Sequence, residues 1–248
     1  MKGMIKILRY NLHFYLLAFG LVITLSIALF FVEGTLLIAL QFGLIVSVYF
    51  SLASLLSSWY VYDYSGLYKL SYLDDRGIRD DGHFLNIHAG YDETSALLKA
   101  KFPIARFDVL DFYNSEKHTE RSLRIAKAGR HNSSVSSQSI STEYLNISDN
   151  SIDAIFLIFT AHEIRDEQER NRFFVELNRV LKSDGKIVLV EHLRDIPNFL
   201  AYGPGFMHFW SRRAWIRAFK SSNLSIIDQR KWTHWITIFI LRKNGIAS

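Results

Sequence analysis

The sequence predicts an α/β fold, a seven-stranded and mostly parallel sheet, preceded by a two-helix transmembrane hairpin. Three observations carry this expectation. Charge is segregated, because residues 1–65 contain only Lys2, Lys6, Arg9, Glu33 and Asp63 of the 29 basic and 24 acidic residues. Two apolar runs of membrane-crossing length lie within that charge-poor part. Beyond it, seven short apolar runs alternate with helical periodicities, without hairpin signals between most of them, as parallel strands covered by helices require.

The bulk composition agrees with two unlike parts. The chain has 248 residues, 49% of them hydrophobic, and a mean hydropathy of only +0.08. One uniform globule is excluded, and so is a polytopic transporter, since no second uncharged stretch follows. The absence of cysteine excludes a disulfide scaffold, thiolate metal sites and a cysteine nucleophile. A net charge of +5, mixed in sign, does not point to nucleic acid.

Each span follows from length. Asn11 to Val32 reads NLHFYLLAFGLVITLSIALFFV, and residues 36–62 read LLIALQFGLIVSVYFSLASLLSSWYVY, separated by Glu33-Gly34-Thr35. A helix needs about 20 apolar residues to cross the hydrocarbon, and both runs supply them. One long run leading into another does not fit a cleaved signal peptide. Lys2, Lys6 and Arg9 flank the entry and Lys69, Arg76 and Arg79 the exit, so the positive-inside rule places both termini in the cytoplasm. Trp59, Tyr60, Tyr62 and Tyr64 form an interfacial aromatic belt at the exit. Residues 66–82 read as a juxtamembrane linker at the headgroups, and 83–248 as a separate domain.

The strands are expected at 84–89, 105–110, 135–140, 152–159, 186–192, 224–229 and 236–242. Between them, ETSALLKAKF, SEKHTERSLRIAKA and EQERNRFFVELNRVLK read as helices. In the last, Phe173, Phe174, Leu177, Val180 and Leu181 make one apolar face, and Ser183-Asp184-Gly185 turns into the next strand. The last two strands are close in sequence and should pair antiparallel. Ligands of such sheets bind beyond the carboxyl ends of the strands, where the strand order reverses. Those ends are His88-Ala89-Gly90-Tyr91-Asp92, Asp111-Phe112 and Thr160-Ala161-His162-Glu163.

Three segments carry a family resemblance: Phe84 to Asp92 (FLNIHAGYD), Asp149 to Ile155 (DNSIDAI) and Glu176 to Lys186 (ELNRVLKSDGK). They resemble, in order, the glycine-rich first turn, the "DNSFD" strand entry and the "E-x-x-R-V-L-K-P-G-G" turn of class I S-adenosylmethionine-dependent methyltransferases. The likeness is to the ubiquinone and menaquinone methyltransferase branch. The resemblance implies a Rossmann-like sheet and S-adenosyl-L-methionine as cofactor. It assigns cofactor contacts to Asn86, His88, Ala89 and Gly90 in the first turn. Asn86 stands where the family has an acid, and His88 and Asp92 where it has glycines. Asp111 matches the acid that accepts from the ribose hydroxyls, Ser141 or Thr142 falls where the family often has an acid facing the adenine amine, and Thr160 ends the fourth strand.

The candidate catalytic residues are His162, Glu163, Glu191, His192, Arg194 and His208. Methyl transfer is an in-line displacement, helped by a base when the acceptor must lose a proton, and His162 is the first candidate for that base. Glu191, His192, Arg194 and Asp195 leave the fifth strand on the same side. Residues 199–219 are rich in aromatics and arginine, fitting an apolar entrance with Arg212, Arg213 and Arg217 at anionic headgroups. No H-E-x-x-H spacing is present, so no metal is expected. The expected function is a membrane-anchored, cytoplasm-facing methyltransferase of a lipophilic phenol, quinol or polyene-type acceptor. Its rival is a catalytically silent scaffold or partner-binding subunit of the same fold.

Overall fold

A computed structural model describes residues 2–74, 76–118, 123–125 and 135–245 of the chain. It begins with α1 (Lys2–Tyr10), α2 (Leu12–Ala28) and α3 (Gly34–Trp59), followed by a π-helical turn (Tyr60–Tyr64) and two 3-10 turns (Leu67–Lys69 and Ser71–Leu73). The sheet is entered at β1 (His83–His88), and α4 (Ser95–Lys101) leads to β2 (Arg106–Asp111), β3 (Gln138–Ser139) and β4 (Ile152–Ile158). A 3-10 turn (Ala161–Glu163) and α5 (Glu167–Val180) precede β5 (Leu181–His192). α6 (Ile196–Tyr202), a 3-10 helix (Gly203–His208) and α7 (Arg212–Ser221) lead to β6 (Leu224–Lys231) and β7 (Ile236–Lys243).

The seven strands form one sheet in the order β3-β2-β1-β4-β5-β7-β6. The first five pair in parallel, while β7 runs antiparallel to both β5 and β6, as the short connection between the last two strands predicts. The order reverses between β1 and β4, which opens the crevice there. Ile187, Val188, Leu189 and Val190 of β5 are all fully buried, the pattern of a strand covered on both faces. The expected turn at 183–185 lies within β5, where its pairing with β4 shifts register.

Beneath one face, α5 presents Phe173, Phe174, Leu177 and Val180, and α7 presents Trp215 and Phe219. Asp166 caps α5 by accepting the Glu169 amide at 2.7 Å. The other face is covered by Leu98 and Phe102 and, beyond expectation, by Val61, Leu67, Leu70, Tyr72 and Leu73. Residues expected to lie at the headgroups as a linker are therefore packed on the sheet. The helix expected over 115–128 falls largely outside the described residues, and the expected strand 135–140 is reduced to two paired residues.

The N-terminal helices differ in length from the expected hairpin. The helical stretch Gly34–Lys69 is long and apolar enough to cross a membrane, whereas the preceding segment reaches that length only as α1 and α2 together, bent by 76°. α2 alone has 17 residues, about 26 Å of helix. It stops at Ala28 instead of Val32, ahead of the turn in which Gly34 takes a left-handed φ of 64°. α1 is held to the start of the domain by Asp63, whose carboxylate accepts the amides of Gly3 at 2.9 Å and Met4 at 2.8 Å.

Trp215 is among the largest fully buried side chains, stacked on Phe219 and edge-on to Phe174. Trp215→Ala is expected to lower unfolding stability by about 3–5 kcal/mol, measured by denaturant titration.

Candidate active site

Two groups of residues flank the crevice. The first lies at the ends of β1, β2 and β3. Asn86 is buried, and its amide nitrogen donates to Thr94 Oγ1 at 3.0 Å and Ser95 Oγ at 2.7 Å. It thereby braces the turn from inside. His88 is also buried, with Nδ1 3.7 Å from Asp111 Oδ1, and Ala89 leads into Gly90, whose φ of 76° demands the left-handed region. Asp111 Oδ1 accepts the amides of Gly90 at 2.6 Å and Tyr113 at 2.9 Å. A cavity of about 380 Å³ opens beyond it, lined among others by Tyr113, Ile140, Ser141, Thr142 and Glu169.

Glu169 is the residue that sequence reasoning missed here. Thr142 Oγ1 donates to its Oε1 at 2.5 Å, and Lys117 Nζ lies 3.4 Å from the same oxygen. The sole signal was its place three residues after the Asp166 cap, which reads as helix initiation. Ser141 Oγ accepts the Glu143 amide at 3.1 Å.

The second group lies at the ends of β4 and β5. Phe159, after β4, has a φ of 52°, strained for a residue with a bulky aromatic side chain. It is followed by the buried Thr160, whose Oγ1 has no partner among the described residues. His162 meets Glu191 twice, through Nδ1 at 2.7 Å and its backbone amide at 3.2 Å. Its Nε2 is 3.4 Å from Glu163 Oε1, and His208 Nε2 is 3.9 Å from that same oxygen. Desolvation opposes charge on the His162 ring, but Glu191 and Glu163 outweigh it and push its pKa up to about 10. An imidazolium of that pKa is a poor base at neutral pH unless something else displaces its proton.

His192 has the opposite character. Asn198 donates through Nδ2 to Asp195 Oδ1 at 2.8 Å and to the Trp235 carbonyl at 3.0 Å, which turns its own Oδ1 towards His192. Nδ1 of His192 therefore carries the proton and donates to that oxygen at 2.9 Å, leaving Nε2 to accept from the Tyr62 hydroxyl at 3.1 Å. Burial pushes its pKa down to about 4. Tyr62, from the turn that ends the N-terminal helices, is the second residue missed by sequence reasoning. Its reading as a belt aromatic gave no sign of a partner in β5.

The segment that carries His208 is tied over this cluster. Arg194 donates to the carbonyls of Phe209 at 2.8 Å and Met207 at 2.7 Å, and Arg165 to that of His208 at 2.6 Å. The Trp210 indole donates to the His162 carbonyl at 3.2 Å. His162, Glu163, Glu191 and His208 thus form one cluster, His192 stands beside it across the stacked Phe209 ring, and Arg194 holds the cover.

Because His192 binds a proton more weakly folded than unfolded, folding stability should be unaffected above the unfolded value of about 6.5 and fall as pH drops from there towards 4, by on the order of 3 kcal/mol in total. Its imidazole resonances should show the neutral Nδ1–H tautomer at pH 5.5. Tyr62→Phe removes a donor that only the neutral ring accepts, and should raise the His192 pKa by roughly half to one unit, from a hydrogen bond worth about 1 kcal/mol.

Comparisons with known proteins bear on both groups. Residues 90–189 match the family model described as a methyltransferase domain. No curated protein sequence matches the chain. An S-adenosylmethionine-dependent methyltransferase from Aquifex aeolicus is similar in structure with a TM-score of 0.53 at 18% identity, over 72% of this chain and 93% of that one. A geranyl diphosphate C-methyltransferase from Streptomyces coelicolor, solved with Mg2+, geranyl diphosphate and S-adenosyl-L-homocysteine, has a TM-score of 0.52 at 12% identity, over 77% of this chain and 82% of that one. At those identities the likeness is one of fold. The residues fit the cofactor's adenosine end in kind, since the Asp111 carboxylate closes the end of β2 and the cavity beyond it is walled by Tyr113, Ile140, Thr142 and Glu169. Residues 90–189 therefore match a methyltransferase domain within a seven-stranded sheet of the methyltransferase type, and the cofactor that this likeness supports is S-adenosyl-L-methionine.

Proposed function

We propose that the chain is a membrane-anchored methyltransferase, its domain facing the cytoplasm, that transfers the methyl group to a lipophilic acceptor of the phenol, quinol or polyene type. The observation that carries this reading is the contact between the cover of the site and the apolar α3. Phe50 of α3 lies edge-on to Phe199 of α6 at 5.7 Å and packs at the Cα of Gly203. Ile196, Leu200 and Met207 are exposed on the same cover, and Tyr62 reaches His192 beneath it. An apolar surface thus runs from the α3 helix to the rim of the His162 cluster, a path for a ligand that water does not dissolve. Arg212, Arg213 and Arg217 are exposed on α7, where anionic headgroups would meet them.

The cofactor supplies an electrophilic methyl carbon. Asn86, Gly90 and Asp111 shape the turn that holds it, and Asp111, Glu169 and Thr142 face its adenosine part. Bringing the acceptor in line within a dry cleft then provides much of the acceleration. When bound, the cofactor would give its methyl group to the acceptor oxygen or carbon and keep the bonding electrons on sulfur, while the acceptor's proton would pass to water. Glu191, His192 and Arg194 keep the His162 cluster and its cover in place.

Two measurements test this reading. Asp111→Ala removes the acceptor of two turn amides and should weaken S-adenosylmethionine binding about 10–100-fold by calorimetry, as loss of charged hydrogen bonds implies. With the full chain in vesicles containing a lipid-soluble phenol, Phe199→Glu and Leu200→Glu should raise KM for the bilayer-borne acceptor at least tenfold while leaving cofactor affinity unchanged. Equal KM values for wild type and both variants would sink the membrane-entrance reading.

A further inference from the structure

We propose that His162, Glu163 and His208 form a binding site for one divalent first-row transition-metal ion. Spacing along the chain gave no such site, because the third donor comes from the 3-10 helix that folds back over the β4 end. The three donor atoms lie within 4.8 Å of one another, with separations of 3.4 Å and 3.9 Å from the two imidazoles to Glu163 Oε1. Donors held at roughly 2.0–2.1 Å around a tetrahedral ion sit about 3.3 Å apart, so small side-chain rotations close the set. Two imidazoles and one carboxylate are the donor types of catalytic zinc and related sites, which leave a further position open.

Three further observations favour an ion here. Glu163 is 7% exposed, and its Oε2 is buried without a hydrogen-bond partner among the described residues. A buried carboxylate oxygen in that condition is costly unless a cation completes it. Glu191 lies behind His162 and takes its Nδ1–H at 2.7 Å, which fixes the ring and turns Nε2 towards Glu163 and His208. Carboxylate–histidine pairs of this kind orient metal-bound imidazoles and raise their basicity. Charge also balances, since the two carboxylates Glu163 and Glu191 offset the two positive charges of the ion. Finally, Arg165 and Trp210 bond the His162 and His208 carbonyls, so both donor-bearing segments are held before any ion arrives.

Resting on the methyltransferase reading, the role of the ion is to polarise an acceptor oxygen as a Lewis acid and ease loss of its proton to water. Binding itself needs no turnover, so the two are tested separately. The full chain, purified in detergent without a polyhistidine tag and stripped with chelator, is titrated with Co2+ and then Zn2+. One equivalent of Co2+ should bind with visible d–d absorption, and Zn2+ should displace it. His208→Ala and Glu163→Gln should each weaken Co2+ binding at least tenfold, with Glu191→Gln intermediate. His208 is partly exposed, so His208→Ala should keep the wild-type thermal transition in metal-free buffer even where Glu163→Gln does not. Absence of stoichiometric Co2+ uptake, or uptake by His208→Ala equal to wild type, would overturn the site. Failure of methyl transfer with Co2+ or Zn2+ uptake intact would overturn the Lewis-acid role and leave the site standing.

Discussion

Glu191 is a carboxylate with no exposed surface at the end of a central strand, and much of the site follows from the need to compensate it. Removing such a group from water costs several kcal/mol unless both oxygens find donors. Both find them on one residue, the backbone amide and ring of His162. That pair of hydrogen bonds fixes the Ala161–Glu163 turn against β5. It thereby places Glu163 inside the crevice, and with it the groups that meet Glu163 from the cover. Taking away His162 would leave the charge stranded, which is worse than removing both partners together.

The same end of the sheet is where the N-terminal helices join it. Tyr62 bonds His192, Asp63 caps α1, and Glu93, just past the Gly90 turn, accepts from Tyr68 at 2.8 Å and pairs with Lys6 at 2.6 Å. Val61, Leu67, Leu70 and Leu73 then continue into the core. A flexible tether would let a domain sample every orientation. This connection does the opposite, because turning α3 relative to the sheet would break buried apolar contacts and the Tyr62–His192 bond together. Whatever surface holds α3 therefore also sets the direction in which the cover of residues 196–210 faces.

Local periodicity made most of the sheet legible, and its limits are physical. Strands β1, β4, β5 and β7 contain apolar runs that bury both faces, and the α5 face recurs at the helical period. The weaker cases lack that signal. VSSQSI is polar and pairs over only two residues, and the buried Leu67, Leu70 and Leu73 are diluted by charges until they resemble a surface linker. For the site, the rule that ligands meet strand ends led to His162, Glu163, Glu191 and His192, because position along a strand is local information. Partnerships are not. His162 with Glu191, Tyr62 with His192 and Glu169 with Thr142 join segments whose proximity only the folded chain decides.

The two groups of residues lie on either side of the strand-order reversal, Asp111 and Glu169 near β2 and β3, His162 and Glu163 by β4. On the proposed function, a cofactor anchored by its adenosine at the first group would extend across the β1 end towards the second. The donor is a sulfonium cation whose positive charge is lost as the methyl leaves, so negative charge near the sulfur stabilises the reactant more than the transition state. Two naked carboxylates at the β4 and β5 ends would then slow transfer. A cation between them, either the proton that His162 holds or an ion shared with His208, removes that penalty. Of the two, only the ion also provides an electrophile for an acceptor oxygen, since the protonated ring has both nitrogens turned to carboxylates. On the proposed function, compensating Glu163 and Glu191 is thus a condition on the rate as well as on the fold, and the two conditions select the same few atoms.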